Sequence, residues 1–205
     1  ELPTGCEITA LTTVLNYWGY SVSKETMADN YLPKCDIEVG DFLNYFLGDP
    51  YTDYSFGCYA NPIVVAANSY FSNNGGRHAA YNYSGNDFSV ILKEVESGNP
   101  VVIWSTFERR EAFVRPEFTW ELANGQRLTW ISPEHCVALI GYDLDSGTVT
   151  ISDPMEGIVT CDLSVIDARY RQLASQAVAI RPISKNNSGV TDPTKNEPTT
   201  SSETK

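Results

Sequence analysis

The spacing of the hydrophobic positions changes about halfway along the chain. Up to residue 98, apolar side chains recur at intervals of three and four, which is the pattern of one helical face. The clearest case predicts a helix that begins at Cys6 and ends at Gly19. Its apolar positions are Ile8, Leu11, Val14, Leu15 and Trp18. Ser23 and Asn61 are predicted to cap the next two helices. The further predicted helices span 24–32, 61–71 and 86–98.

After residue 99 the apolar residues come in short runs rich in β-branched side chains, which is typical of strands. Strands are predicted at 100–106, 118–122, 127–131, 135–143, 148–154, 157–163 and 176–182. Asn124-Gly125 indicates a hairpin between the second and third runs. The last four runs are predicted to form a meander, interrupted by one helix that Ser164 caps. Helices followed by an antiparallel sheet predict an α+β fold in one domain, residues 1–183.

The predicted hairpin at 135–154 brings a histidine and an aspartate together. If residues 144–147 form the turn, His135 lies opposite Asp153 or within two residues of it. Both then share a face with the apolar residues Val137, Leu139, Val149 and Ile151. Polar groups on such a face cost free energy unless they satisfy each other. The two residues are therefore either a structural pair in the core or part of a site.

Cys6 follows Pro-Thr-Gly at the start of the first predicted helix. The unpaired N–H groups and the helix dipole there favour an anion, so we expect a thiol pKa lowered toward the reactive thiolate. A small buried cysteine is the alternative. Thiol attack on a carbonyl needs an imidazole to take the proton and a third group to orient the ring. Cys6, His135 and Asp153 offer these groups in the papain-like order of nucleophile, base and orienter, whereas His78 is predicted to lie in a surface loop.

Composition narrows the function classes. The 205 residues include 26 acidic and 14 basic side chains, and the net charge of −12 argues against nucleic acid or an anionic membrane as a partner. The chain has no apolar run long enough to span a membrane. Two histidines and no Cys-x-x-Cys disfavour a zinc site, and nothing indicates a cofactor. Residues 184–205 are rich in Ser, Thr, Asn and Pro, which predicts a disordered linker or stalk and suggests export.

Several segments together resemble a known family. LPTGCEITALTTVLNYWGY is similar to the nucleophile segment of the family-39-like cysteine peptidases, which are extracellular bacterial relatives of the peptidases that trim double-glycine bacteriocin leaders. The segments that match the rest of the family, in the same order, are SKETMADNYLPK, FGCYANPIVVAAN, NPVVIWST, PEHCVALIGYD and ISDPMEGIV. The resemblance covers roughly residues 2–181.

This resemblance implies a papain-like fold, with N-terminal helices packed on a C-terminal antiparallel sheet. It implies hydrolysis of a peptide or protein substrate through an acyl-enzyme, with Cys6 as nucleophile, His135 as base and Asp153 as orienter. It also implies a secreted or cell-surface protein of a Gram-positive-type bacterium. The family places an oxyanion-hole glutamine a few residues before the nucleophile, and residues 1–5 contain none. Because the chain starts inside this motif, we expect it to be a fragment of a longer protein.

The other cysteines carry their own expectations. In an exported protein, Cys35 and Cys58 are expected to form a disulfide, since both lie in loop-like segments. Cys136 and Cys161 could pair, but we expect buried thiols, with Cys136 pointing away from the His135 face. Two other function classes stay open: a papain-like binding module with little or no turnover, and a cysteine-dependent cell-wall amidase or acyltransferase.

Overall fold

The computed structural model describes residues 1–183, and the predicted linker at 184–205 lies outside them. Helices and a large antiparallel sheet make up this part of the chain, so the predicted α+β class is confirmed. The helices are α1 (Cys6–Tyr17), α2 (Lys24–Asn30), α3 (Ala60–Asn74), α4 (Phe88–Glu96) and α5 (Leu163–Gln172). The strands are β1 (Lys34–Cys35), β2 (Phe46–Leu47), β3 (His78–Asn82), β4 (Val101–Thr106), β5 (Phe113–Glu121), β6 (Arg127–Ser132), β7 (Glu134–Asp143), β8 (Thr148–Asp153), β9 (Gly157–Asp162) and β10 (Ala177–Pro182).

Six strands form one antiparallel sheet in the order β3-β10-β4-β7-β8-β9. β7, β8 and β9 form the predicted meander, but the prediction is wrong for β10, which inserts between β3 and β4. Burial explains this placement, because β10 is fully buried on both faces from Ala177 to Ile180. A central position covers both faces of such a strand, whereas a place beside the exposed strand β9 would leave one side in water.

Helices cover both faces of this sheet. α1 and α3 pack on one face, over a core that includes Trp104 and Cys136. α4 and α5 pack on the other face, over a smaller core that includes Ile103, Val137 and Leu139. Since successive strand residues point to opposite faces, β4 and β7 are buried on both sides. Cys136 is therefore buried under α1, on the opposite face from Val137, as predicted.

The helix ends agree with the sequence only in part. Gly19 follows α1 with φ of +84°, and the Ser23 hydroxyl accepts a hydrogen bond from the Thr26 N–H at 3.1 Å, so these two predictions are confirmed. The predicted caps at Asn61 and Ser164 are wrong, because both residues lie inside helices. Asn61 instead accepts a hydrogen bond from the side chain of Asn82 on β3.

The second histidine lies in a strand that the sequence did not indicate. His78 begins β3 at the edge of the large sheet, so the prediction of a surface loop is wrong. Its Nδ1 lies 2.6 Å from the Tyr20 hydroxyl, and its ring lies 4.5 Å from that of Trp18. His78 is half-buried against these aromatic rings, and we interpret it as a residue that stabilises the fold.

The Asn-Gly hairpin is confirmed, and it forms a separate sheet of β5 and β6. Trp120 on β5 and Trp130 on β6 pack their rings edge-on against Phe42 and Phe56. Within the described residues, no helix is both long enough and apolar enough to cross a bilayer.

Candidate active site

Cys6 is the first residue of α1, as predicted. The preceding segment is held by two hydrogen bonds, from the Gly5 N–H to the Leu2 carbonyl at 3.1 Å and from the Thr4 hydroxyl to the Thr52 carbonyl at 2.9 Å. A Cβ on Gly5 would lie 2.8 Å from the Cβ of Leu2, so a larger residue would disturb this turn. The Pro-Thr-Gly segment thus fixes the point at which Cys6 enters the helix.

His135 and Asp153 meet where β7 begins and β8 ends. The ladder pairs Ala138 with Ser152, and continuing this register places Asp153 opposite Val137, two residues from His135. The His135 Nε2 lies 3.0 and 2.9 Å from the two carboxylate oxygens of Asp153. Both residues are 4% exposed, so the contact is shielded from water.

The surroundings of Asp153 keep its carboxylate ionised. Burial opposes ionisation, but hydrogen bonds from His135 and from the backbone N–H groups of Met155 and Glu156 outweigh it and hold the pKa of Asp153 below its usual value. An ionised carboxylate only accepts hydrogen bonds, so the His135 Nε2 carries the proton. The other ring nitrogen, Nδ1, is then free to take a proton from a thiol.

Cys6 and His135 line the same cleft, which has a volume of about 350 Å³. Phe107 lies beside the imidazole, with its ring centroid 5.9 Å away in an edge-on arrangement. Pro154 and Met155 also line the cleft, in the segment that follows Asp153. The structure therefore brings together all three residues of the predicted site: two at the cleft and Asp153 at the imidazole. Their catalytic roles remain a prediction.

Two glutamates that sequence reasoning missed lie beside the Cys6 sulfur. Donor atoms of Cys6, Glu7 and Glu134 all lie within 4.8 Å of one another. The thiol is 3.4 Å from the Glu7 Oε2, and the Cys58 N–H donates to the Glu7 Oε1 at 2.7 Å. Glu7 is completely buried, although glutamate side chains are seldom fully buried in proteins. The only signal in the sequence was that each glutamate adjoins a predicted site residue.

Burial, together with these carboxyl groups, reverses the expected effect on the pKa of the thiol. Burial, followed by the charges of Glu7 and Glu134, raises the pKa of Cys6 well above its usual value. The backbone N–H of Cys136 favours the thiolate but does not outweigh them. The expectation of a lowered pKa is therefore wrong, because the helix N-terminus is buried against β7 together with two acidic side chains.

The model of the Peptidase C39-like family matches residues 1–178. The chain belongs to this family. The uncharacterized protein YvpB of Bacillus subtilis (strain 168) is 32% identical over 188 residues, which cover 88% of this chain and 70% of YvpB. A crystal structure of a candidate C39-like peptidase from Bacillus anthracis is also similar, with 30% identity, a TM-score of 0.78, and coverage of 90% of this chain and 92% of the other. The predicted family and papain-like fold are thereby confirmed.

In this C39-like chain the cluster of Cys6, Glu7 and Glu134 also offers three donor atoms to a cation. Both Glu7 oxygens already accept hydrogen bonds, one from the Cys58 N–H and one from the Cys6 thiol. We therefore interpret the cluster as the immediate surroundings of the thiol and assign no metal to it.

The predicted Cys35–Cys58 disulfide is absent, because all five cysteines are free thiols. Leu47 lies between the two segments, since it pairs with Cys35 on one side and with Gly57 on the other. Two strand spacings of about 4.8 Å exceed the Cα separation of roughly 7 Å that a disulfide allows. Cys136 is buried as expected, but the expectation of a buried thiol is wrong for Cys161, which lies partly exposed on the edge strand β9.

We therefore expect five titratable thiols in the purified protein under denaturing, non-reducing conditions, which matches the five free cysteines. Counting with a thiol-reactive chromophore measures this directly. A count of three would mean that a disulfide forms in solution, and peptide mapping would then identify the pair.

Proposed function

We propose that this protein is an extracellular cysteine peptidase that hydrolyses peptide bonds through Cys6, His135 and Asp153. The observation that carries the proposal is the His135 ring, which bonds to Asp153 through Nε2 while it lines the same cleft as the Cys6 thiol. A fixed imidazole that shares a cleft with a thiol at a helix start supplies the groups that a thiol nucleophile needs. The family membership supports peptide-bond hydrolysis, and the Ser/Thr/Pro-rich segment at 184–205 supports export.

The chemistry follows from this arrangement. His135 Nδ1 takes the proton of the Cys6 thiol, and the sulfur forms a bond with the substrate carbonyl carbon. The tetrahedral oxyanion then collapses, the C–N bond breaks, and the imidazolium gives its proton to the departing amine. Water, deprotonated by His135, attacks the thioester and releases the acid, and the thiol recovers its proton. Asp153 holds the ring and stabilises the imidazolium throughout.

The start of α1 supplies a donor for the oxyanion. N–H groups in the first helical turn have no acceptor within the helix, and that of Cys6 adjoins the reacting sulfur. A backbone donor at this place lowers the energy of the charge that develops on the carbonyl oxygen.

An activity test separates this function from the alternatives. We expect the purified protein to react at Cys6 with a thiol-directed active-site probe and to cleave members of a peptide library. Cys6→Ala should abolish both, whereas Cys161→Ala, which removes another partly exposed thiol, should abolish neither. Cleavage restricted to cell-wall stem peptides would instead assign the amidase function. No labelling and no cleavage would contradict the enzyme.

The environment of the thiol favours a second candidate, a binding module with little turnover. Two carboxyl groups beside Cys6 oppose its ionisation, as expected for a thiol that does not need to react. In that case, peptides would bind in the cleft without being cleaved, and Cys6→Ala would leave their affinity unchanged.

A further inference from the structure

The proposed mechanism gives no role to two carboxyl groups beside Cys6, of which Glu7 is buried and Glu134 is partly buried. Glu7 projects from the first turn of α1, and Glu134 projects from the first residue of β7. Their oxygens lie within 4.8 Å of each other and of the Cys6 sulfur. Two carboxylates at this separation in a buried place repel strongly, so the pair retains one proton over a wide pH range.

The hydrogen bonds indicate which member holds the proton. Both Glu7 oxygens accept, one from the Cys58 N–H at 2.7 Å and one from the Cys6 thiol at 3.4 Å, as an ionised carboxylate does. The Glu134 Oε1 is buried and has no hydrogen-bond partner among the described residues. An unpaired buried oxygen is less costly on a neutral carboxyl than on a carboxylate.

We infer that Glu7 and Glu134 share one proton beside the Cys6 sulfur and that loss of this proton suppresses formation of the Cys6 thiolate. The pair then acts as positioning residues that tune the nucleophile by charge, and this inference rests on the proposed peptidase function. While the proton is present, the sulfur faces one negative charge. Once it is lost, the sulfur faces two, and the thiolate becomes harder to form.

The pKa values of both glutamates are raised, as a retained proton requires. Burial raises the pKa of Glu7 to about 7, despite hydrogen bonds that favour its carboxylate. Burial and the charge of Glu7 raise the pKa of Glu134 well above its usual value. Both shifts are upward, so the shared proton persists in acid and is lost only at a pH above the usual carboxyl range. The titratable groups that face the cluster from the packed elements are Cys58 and Tyr59 before α3, and His135 and Cys136 on β7, with Asp153 behind His135.

The rate of Cys6 alkylation against pH tests this inference. Iodoacetamide is applied to the folded protein, and mass spectrometry of the Cys6 peptide separates this thiol from the other four. In Glu134→Gln, the sulfur never faces more than the one charge of Glu7. We expect its rate to match that of the wild type in acid, where the pair keeps its proton, and to exceed it by about tenfold or more at alkaline pH, where the pair has lost it, since one pKa unit is a tenfold change in thiolate.

Two further variants complete the experiment, one as a second test and one as a control. Glu7→Gln keeps an acceptor for the Cys58 N–H and should also raise the rate above neutral pH. Glu94→Gln is the matched control, because Glu94 is another buried glutamate, paired with Arg181 and remote from Cys6. It should leave the Cys6 profile unchanged even if it lowers stability.

A Glu134→Gln profile that equals the wild type, falls below it, or rises by the same factor at every pH would overturn the inference. Its failure is distinguishable from that of the proposed function. If the Glu134→Gln and wild-type alkylation rates diverge above neutral pH but no peptide is cleaved, the carboxyl-pair inference is supported and the peptidase function is contradicted. If peptides are cleaved but the Glu134→Gln alkylation profile equals that of the wild type, the peptidase function is supported and the carboxyl-pair inference is contradicted.

Discussion

Replacement of His135 by alanine should lower peptide hydrolysis by about 10²- to 10⁴-fold, the usual contribution of a general acid–base group. In the proposed mechanism, the imidazole takes the thiol proton and later supplies one to the leaving amine, and water would replace it poorly in a buried site. His135→Ala also removes the cation that stabilises the Cys6 thiolate. We therefore expect alkylation of Cys6 near pH 7 to slow by at least about tenfold.

Replacement of Asp153 should also slow the alkylation of Cys6, but by a smaller factor than replacement of His135. Asp153→Ala frees the imidazole to rotate and removes the charge that stabilises the imidazolium, so Cys6 alkylation should fall less than in His135→Ala. Asp153→Asn should lie between wild type and Asp153→Ala or match Asp153→Ala, because an amide can orient the ring but supplies no charge.

The matched control for these variants is His78→Ala, which removes the other histidine of the chain. His78 packs on Trp18 and Tyr20, so this substitution should lower stability while leaving the pH profile of Cys6 alkylation unchanged. A wild-type profile in folded Asp153→Ala would mean that Asp153 is only structural. A wild-type profile in folded His135→Ala would remove the proposed base.

Gly57→Ala should lower the free energy of unfolding by about 2–4 kcal/mol, combining backbone strain with the loss of a buried hydrogen bond. Gly57 has φ of +121°, and an added Cβ would lie 2.2 Å from the Glu7 Oε1. Glu7 cannot yield freely, because this oxygen accepts the bond from the Cys58 N–H in a fully buried place. Urea unfolding followed by circular dichroism gives the value.

Gly85→Ala separates the two contributions. Gly85 has φ of +82°, but an added Cβ would meet no atom within 4 Å. This variant should cost only the strain of the left-handed backbone, about 1–2 kcal/mol. Equal losses in Gly57→Ala and Gly85→Ala would show that the contact with Glu7 adds nothing, and the packing of Glu7 would then be looser than described.

Local features of the sequence determined the elements that carry the candidate site. The three-and-four spacing after Pro-Thr-Gly predicted the start of α1 at Cys6, because side-chain period and helix-terminating residues act over a few positions. The turn at 144–147 set the register of β7 and β8. That register alone does not place His135 and Asp153 on one face, because it pairs odd residues of β7 with even residues of β8. The irregularity between Leu139 and Gly141 shifts the pairing by one residue, and this shift brings the two side chains to the same face.

Local sequence patterns could not predict the contacts between segments that are distant in the chain. The insertion of β10 between β3 and β4 depends on how two faces of the sheet are covered, which no local pattern encodes. The Cys35–Cys58 disulfide was a wrong prediction, because composition indicates a compartment but not the strand that separates the two cysteines.

The sequence by itself therefore determined that a thiol begins a helix and that a histidine and an aspartate lie at the two open ends of one hairpin, since periodicity and turns are local properties. Only the tertiary structure decided what surrounds the thiol. Packing α1 on β7 buries Glu7 and Glu134 beside Cys6, and the resulting desolvation and repulsion raise the pKa that the helix start alone would lower. Charge interactions depend on distance and burial in space, and these are fixed only when separate elements pack together.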